Sequence, residues 1–134
     1  MLDAINEAIY NKLNGTSAVT SLLSSATAIF VEVAPQGAIL PYIIITPAGG
    51  GSDNDTPLDS ADVMYYVKGV AETALTAGLI AEAIYNALHE STPTIDSPWS
   101  IYRCQHMNLI SYPETVDRKT FRHMGGSYRI RLSQ

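Results

Sequence analysis

Apolar residues recur at helical spacing in three stretches of the chain, which predicts three helices. The first begins at Asp3, a residue type that caps helix N-termini, and ends at Asn14-Gly15. A short second helix begins at Thr16 or Ser17. The third runs from about residue 73 to 90, and its continuous apolar stripe suits packing against a sheet. The members of that stripe are Ala77, Ile80, Ala81, Ile84, Ala87 and Leu88.

Runs of β-branched and aromatic residues predict five strands. These strands lie at about 28–33, 41–47, 62–71, 99–112 and 120–132. In the third strand, Val63, Tyr65 and Val67 share one face, and Met64, Tyr66 and Lys68 share the other. In the last strand, apolar residues alternate with Arg129 and Arg131, so the arginines should lie on a polar, solvated side.

Polar and glycine-rich segments separate these elements. We expect residues 49–59, which are rich in glycine and acidic residues, to form a mobile loop with nothing to bury. Residues 91–98 form a linker, and residues 113–119 form the turn between the last two strands. Gly125-Gly126 interrupts the final strand and predicts a bulge or a bend.

The order of these elements predicts an α+β fold with a single sheet of four to five mainly antiparallel strands and helices packed on one face. The length of 134 residues fits one domain, 1–134. The segment 62–110 reads strand–helix–strand, an arrangement that often makes a parallel crossover, so strand order and direction stay open.

Charge is distributed unevenly along the chain. Residues 1–102 hold two lysines against eleven acidic residues, a charge of −9, whereas residues 103–134 carry +4, for a net charge of −5. One reading is a basic, solvated side of the C-terminal hairpin. The other is contact between the basic hairpin of one subunit and an acidic surface of the next.

Candidate catalytic or metal-binding groups are sparse. His106 and His123 could face each other across the terminal hairpin, but with Cys104 they would give zinc only three ligands. His89 is placed at a helix end, where an imidazolium favours the carbonyl groups. We find no nucleophile with a matching base and no phosphate-binding loop. The expectation is a protein that is not an enzyme and has no cofactor or metal.

Membrane and nucleic-acid functions are also disfavoured. No apolar run is long enough to cross a bilayer, and the N-terminus lacks the features of a signal peptide. One cysteine fits a reducing compartment, so we expect a soluble cytosolic product. The acidic chain argues against sequence-specific nucleic-acid binding.

Short motifs in a fixed order resemble those of the tail-completion, or tail-terminator, family of long-tailed bacteriophages and prophages. The segment Val33-Ala34-Pro35-Gln36-Gly37 is followed by Leu40-Pro41-Tyr42. Leu22-Leu23 and Ile29-Phe30 precede it. Near the C-terminus the matching positions are Asp117, Thr120, Arg122, His123, Gly125 and Tyr128-Arg129-Ile130. Gly126 is an extra residue relative to that pattern.

The resemblance implies a virion assembly protein at the neck-proximal end of the tail, assembled in the cytoplasm of the bacterial host. Members are thought to form a ring, commonly hexameric, that ends tube polymerisation and joins the tail to the neck. The implied partners are further copies of the chain, the tail tube protein and a neck or head-completion protein, with DNA passing through the ring. The candidate interface residues are Arg118, Lys119, Arg122, Arg129, Arg131, Gly50, Asp53, Asp55 and Asp59.

Two alternatives remain at this point. The chain could be a head–tail connector or minor capsid protein at another neck ring. It could also be an unrelated small ligand-binding or catalytic α+β domain, which a pocket with convergent polar groups would support.

Overall fold

The computed structural model of the chain describes residues 1–52 and 60–134. Its elements follow the order α1-α2-β1-β2-β3-α3-β4-β5. The helices are α1 (Leu2–Asn14), α2 (Ser17–Thr20) and α3 (Ala74–Leu88). The strands are β1 (Ile29–Val31), β2 (Tyr42–Ser52), β3 (Ser60–Ala71), β4 (Ser100–Val116) and β5 (Lys119–Ser133). This order of elements agrees with the order predicted from the sequence.

The five strands form one sheet in the order β1-β2-β3-β5-β4. β1 is parallel to β2, and each of the other neighbouring pairs is antiparallel. β3 and β4 therefore run in the same direction with β5 inserted between them, and α3 makes the crossover. The prediction of an α+β fold with a single, mainly antiparallel sheet is confirmed.

Helices α1 and α3 pack on one side of the sheet, which we call the helix face. Alternate strand residues point to this face, and the helices contribute the apolar stripes predicted from their spacing. The largest buried side chains of this core are Ile5, Ile9, Leu13, Ile43, Ile45, Tyr65, Ile80, Ile84, Leu88, Tyr128, Ile130 and Leu132. The predicted core side of β5 is thus confirmed.

No helix among the described residues covers the other side of the sheet, which we call the open face. At one end of it, the segment 32–41 folds over the strands. Ala34, Ala38 and Leu40 of that segment pack on a small buried cluster formed by Ala28, Tyr42, Ile44 and Val70. Among residues 1–52 and 60–134, this segment is the part that packs on the open face.

The predicted mobile loop at residues 49–59 is wrong for its first four positions. Residues 49–52 continue β2 and pair with β3. Gly50 has a φ of 111°, and a Cβ there would overlap the carbonyl oxygen of Asp62, so this position requires glycine. The glycine-rich sequence predicts a loop, whereas glycine here allows the backbones of two neighbouring strands to approach closely.

The turn predicted at residues 113–119 is also wrong, because the hairpin is longer. Asp117 and Arg118 alone form the turn, with φ values of 50° and 67°. Two successive positive φ values are the geometry of the two-residue hairpin turn whose twist matches the strands. Pro113 remains inside β4, which it can do because β4 is an edge strand.

The bulge predicted at Gly125-Gly126 is wrong as well, since β5 pairs with β3 without any register shift. The extra residues lie in β4, where Tyr102 and Met107 are inserted. Gly126 serves a different purpose, because a Cβ there would lie 2.5 Å from Nε2 of His106. The missing side chain makes room for that imidazole ring.

The N-cap of the first helix is Met1, two residues before the predicted cap, Asp3. Asp3 therefore lies in the first turn of α1 rather than at the cap, where its carboxylate still favours the helix dipole. Thr16 occupies the N-cap position of α2, as one of the two predicted possibilities.

Candidate interaction surfaces

The open face contains a groove of about 480 Å³ between the middle of β3 and the edge strand β4. Its side chains are mostly apolar or aromatic, with one lysine. The residues that line it are Ala48, Met64, Tyr66, Lys68, Asn108, Leu109, Ile110, Tyr112 and Ser127. Tyr66 is 44% exposed and Tyr112 is 41% exposed. The groove is therefore an apolar surface that the subunit leaves in contact with solvent.

A row of stacked side chains borders this groove. Lys68 Nζ donates a hydrogen bond to the Tyr112 hydroxyl at 2.5 Å, and the Tyr112 ring stacks on His123 with centroids 4.5 Å apart. His123 Nε2 lies 3.2 Å from Glu114 Oε1. Burial lowers the pKa of His123, with Lys68 acting in the same direction and Glu114 opposing it. The row holds the β4–β5 hairpin against β3 rather than forming a catalytic site.

Arg129 on β5 forms an ion pair with Asp62 on β3, on the open face. Its Nε donates to both carboxylate oxygens at 2.9 and 2.7 Å, and a terminal nitrogen contacts Oδ2 as well. These hydrogen bonds lower the pKa of Asp62. Arg131 lies over the Tyr102 ring, 5.8 Å from its centroid. Both arginines are half-buried, so the prediction of a solvated polar side is only partly met.

Two more cations are paired within the subunit. Lys119 lies 3.5 Å from Glu72, and Arg103 lies 3.4 Å from Glu90. All four side chains are about half exposed or more, so these pairs contribute little to stability. They nevertheless reduce the positive charge that the C-terminal hairpin offers to a partner.

The tip of the β4–β5 hairpin carries the remaining predicted cations. Arg118 and Arg122 are exposed, and within residues 1–52 and 60–134 neither has a carboxylate at ion-pairing distance. The ladder between β3 and β5 ends at the pair Ala71–Arg122. Beyond that pair the hairpin is only two-stranded, so a basic tip projects past the sheet.

The acidic segment begins and ends at the opposite end of the sheet. Ser52 and Ser60, which flank it, lie where β3 pairs with the end of β5 at Ser133. The predicted interface residues Asp53, Asp55 and Asp59 themselves lie outside the described residues. The twelve residues of β3 separate the two ends by about 40 Å at ~3.3 Å per residue. The sequence therefore places unlike charge at opposite ends of one molecule.

Helix α3 presents a second apolar surface, on the side that points away from the sheet. Leu75 is 75% exposed and Leu79 is 45% exposed, one helical turn apart. Glu82 continues this stripe, and Gly78 lies beside it. The helical periodicity of the sequence predicts only the buried stripe of this helix. Leucines four residues apart outside that stripe were the signal that could have indicated the outer surface.

The histidines do not form the zinc site considered from the sequence. His106 lies opposite Tyr128 on the helix face, whereas His123 lies opposite Tyr112 on the open face. The prediction that the two rings face each other is wrong. Among the described residues, no group of three His, Cys, Asp or Glu side chains could hold a metal ion.

His89 lies immediately after α3, as predicted, and its Nδ1 accepts a hydrogen bond of 3.1 Å from the backbone amide of His106. Tyr85 stacks on His89 and meets the His106 ring edge-on. Cys104 is fully buried, and burial raises the pKa of its thiol to about 12. These groups support packing between α3 and β4 and are not arranged as a nucleophile with its base.

In the part of the chain that the structure describes, no helix is both long enough and apolar enough to span a membrane.

Comparisons with known proteins point to one family. The family model of tail completion protein gp17 matches residues 7–131. A solved structure described as the virion of a native gene transfer agent particle contains a chain with the same fold, at a TM-score of 0.82 and 17% sequence identity. The match covers 99% of this chain and 97% of that one. No curated protein sequence matches the chain.

Proposed function

The chain belongs to the tail completion protein gp17 family, and from this premise we propose that it forms a ring on the head-proximal end of a phage tail tube. There it ends tube polymerisation and joins the tail to the neck. The observation that carries the proposal is the family match over residues 7–131, which begins within α1, ends within β5 and includes every element between them. The chain is a structural protein of the virion tail.

A ring of identical subunits requires each copy to present two different surfaces, one to each neighbour. The fold supports this requirement, because the groove on the open face and the outer surface of α3 lie on opposite sides of one sheet. A ring with six subunits would match the tail tube in symmetry. It would thereby cover the last tube subunits and leave no surface for further growth.

A terminator ring also has two rims, one toward the tube and one toward the neck. The ends of the sheet differ in charge in a way that supports contacts of this kind. The projecting tip carries Arg118, Lys119 and Arg122, and the opposite end carries the acidic segment with Asp53, Asp55 and Asp59. We assign the tip and the acidic segment to contacts along the tail axis. Two other candidate interface residues, Gly50 and Arg129, are not assigned to these contacts. Close packing of β2 on β3 accounts for Gly50, and the ion pair with Asp62 in the same chain accounts for Arg129.

The proposed partners are copies of the same chain, the tail tube protein and a neck protein, while DNA passes through the ring without being read. We propose no enzymatic role and no cofactor. Family membership sets aside the alternative of an unrelated ligand-binding or catalytic domain. A connector at another neck ring remains distinguishable by experiment.

The test is deletion of the gene from the phage or prophage that encodes the chain. We expect filled heads without tails, together with free tails of uneven and excessive length, and wild-type protein supplied in trans should restore joined virions. Joined virions with tails of normal length in the deletion strain would overturn the proposal. If the protein instead sediments with heads that lack tails, the connector function applies.

A further inference from the structure

We propose that the outer surface of α3 in one subunit packs into the open-face groove of the next copy, and that this contact repeats around the ring. The inference rests on the proposed ring but names surfaces that the ring alone does not specify. The occupant of the groove is thus a second copy of this chain.

The first argument is that the open face needs a cover. A sheet in a two-layer domain buries one side against helices, and its second side is usually polar where it meets water. Here the second side exposes Tyr66 and Tyr112 around a groove of about 480 Å³ that Met64 and Ile110 also line. Exposed apolar surface of this kind marks an interaction site.

The second argument concerns the shape of α3. Gly78 lies inside this helix, where glycine is less favourable than alanine by about 1 kcal/mol. A Cβ at Gly78 would meet nothing within 4 Å in the subunit, so packing within the subunit does not explain this glycine. Leu75 and Leu79 flank it on the outer surface. A partner that approaches the helix closely at Gly78 accounts for both the glycine and the exposed leucines.

The third argument is charge complementarity. Glu82 extends the exposed stripe of α3, and no cation among the described residues lies at ion-pairing distance from it. Lys68 lies in the groove, where its Nζ bonds to the neutral hydroxyl of Tyr112 rather than to a described carboxylate. Packing α3 into the groove brings an unpaired anion toward an unpaired cation.

The two surfaces are also arranged as a closed ring requires. α3 lies on the helix face of the sheet, and the groove lies on the open face, so one copy can bind a neighbour on each side. Contacts of this heterologous kind close into a ring when the rotation between neighbours divides a full turn. In the resulting ring, the helix layer of each subunit packs against the sheet of the next subunit.

The experiment is native mass spectrometry of the full chain and two double variants. The helix variant is Leu75→Glu with Leu79→Glu, and the groove variant is Tyr66→Glu with Ile110→Glu. Wild type should give rings, and each variant alone should give folded monomers. An equimolar mixture should give heterodimers and no larger species, because the two variants together retain only one intact pair of surfaces.

A matched control removes exposed apolar surface elsewhere. Val33 and Ile39 are each 75% exposed on the segment 32–41, so Val33→Glu with Ile39→Glu should leave the rings unchanged. Gly78→Ala adds a second readout, since it should raise the melting temperature of the subunit while weakening ring formation. Glu82→Lys alone and Lys68→Glu alone should each weaken ring formation, and the double variant should restore it.

Three results would overturn the inference. Rings from both surface variants at wild-type level would show that neither surface is the contact. Rings that form normally but no longer bind tail tubes would assign the groove to the tube protein. A wild type that stays monomeric at every concentration would refute spontaneous contact between copies, while the gene deletion would still decide the proposed function separately.

Discussion

Arg129 reaches diagonally across the sheet to Asp62, two residues away from the position that faces it directly. Its register partner on β3 is Met64, while Asp62 faces Arg131. Diagonal neighbours on one face of a sheet are close enough for long side chains to meet. The positive charge of the C-terminal strand is thus partly neutralised inside the subunit, by a residue far away in sequence.

We expect Arg129→Ala to lower the free energy of unfolding by about 1 kcal/mol, because both groups are only partly buried. The lowered pKa of Asp62 means that this contribution is present above pH ~4 and disappears as the pH falls through the folded-state value. Urea unfolding at neutral pH and at low pH measures both effects. Arg118→Ala is the control, since Arg118 lies in the exposed turn. Equal stability of both variants would show that the pair contributes nothing.

The buried ring of His123 predicts a loss of stability in mild acid. Because burial lowers its pKa in the folded protein, the unfolded chain binds a proton first as the pH falls below about 6.5. The free energy of unfolding should therefore decrease from that pH downward, until the folded-state pKa is reached. His123→Phe keeps the stacking on Tyr112 and should make stability less dependent on pH between 7.5 and 5.5. His106, whose pKa is also lowered, should account for part of the remaining slope.

Two core positions test the packing of the helix face. Ile84 on α3 and Ile130 on β5 are almost fully buried, so changing either to alanine should cost roughly 2–5 kcal/mol. Leu75→Ala is the matched control on the same helix, and its effect on the isolated subunit should stay within about 0.5 kcal/mol. Denaturant titration of monomeric protein provides the measurement. A small effect at both buried positions would contradict the assigned core.

Substitutions at two glycines near the end of β2 test whether these residues form a strand or a loop. Gly50→Ala places a side chain against the backbone of β3 and should destabilise the fold by about 1–3 kcal/mol. Gly51→Ala should be nearly neutral, because a Cβ there meets nothing within 4 Å. Replacing residues 53–59 with a Gly-Ser linker should also leave the melting temperature nearly unchanged, since closure entropy depends weakly on loop length. A large loss in the linker variant would show that this segment belongs to the core.

The sequence predicted those features that depend on local periodicity. Ile130 and Leu132 alternate with Arg129 and Arg131, and Ile80 and Ile84 follow the helical repeat, so the buried faces of β5 and α3 could be predicted directly. The predicted boundaries of strands were wrong where the residue composition indicates a loop but the backbone pairs with a neighbouring strand. Gly49 to Ser52 read as a loop until their partner strand was known.

Features that depend on the order of strands could not be predicted. Asp62 and Arg129 meet only because β5 is inserted between β3 and β4, and nothing local specifies that insertion. The same holds for the groove on the open face, because residues of β3 and β4 line it together only when β5 lies between these strands. The exposed leucines of α3 were visible in the sequence, but their role depends on a partner.

The basic hairpin tip gives the last prediction. Arg118 and Arg122 are exposed at the end of the sheet, whereas Lys119 is held by Glu72 and Arg129 by Asp62. Arg118→Glu with Arg122→Glu should therefore change contacts along the tail axis without disturbing the fold or the ring. We expect rings by native mass spectrometry, but few joined virions when the gene deletion is complemented with this variant.

The matched control is Arg103→Glu, a charge reversal at an exposed position in β4 far from the tip. It should complement the deletion close to the wild-type level. Exposed ion pairs contribute only ~0–1 kcal/mol each. Salt screens these charges and weakens the binding of wild type too, so the difference between the tip variant and wild type should become smaller at high salt. If the tip variant instead dissociates into folded monomers, the basic hairpin contacts the neighbouring subunit, as the uneven charge of the sequence first suggested. Normal complementation by the tip variant would remove the hairpin tip from the tail contacts altogether.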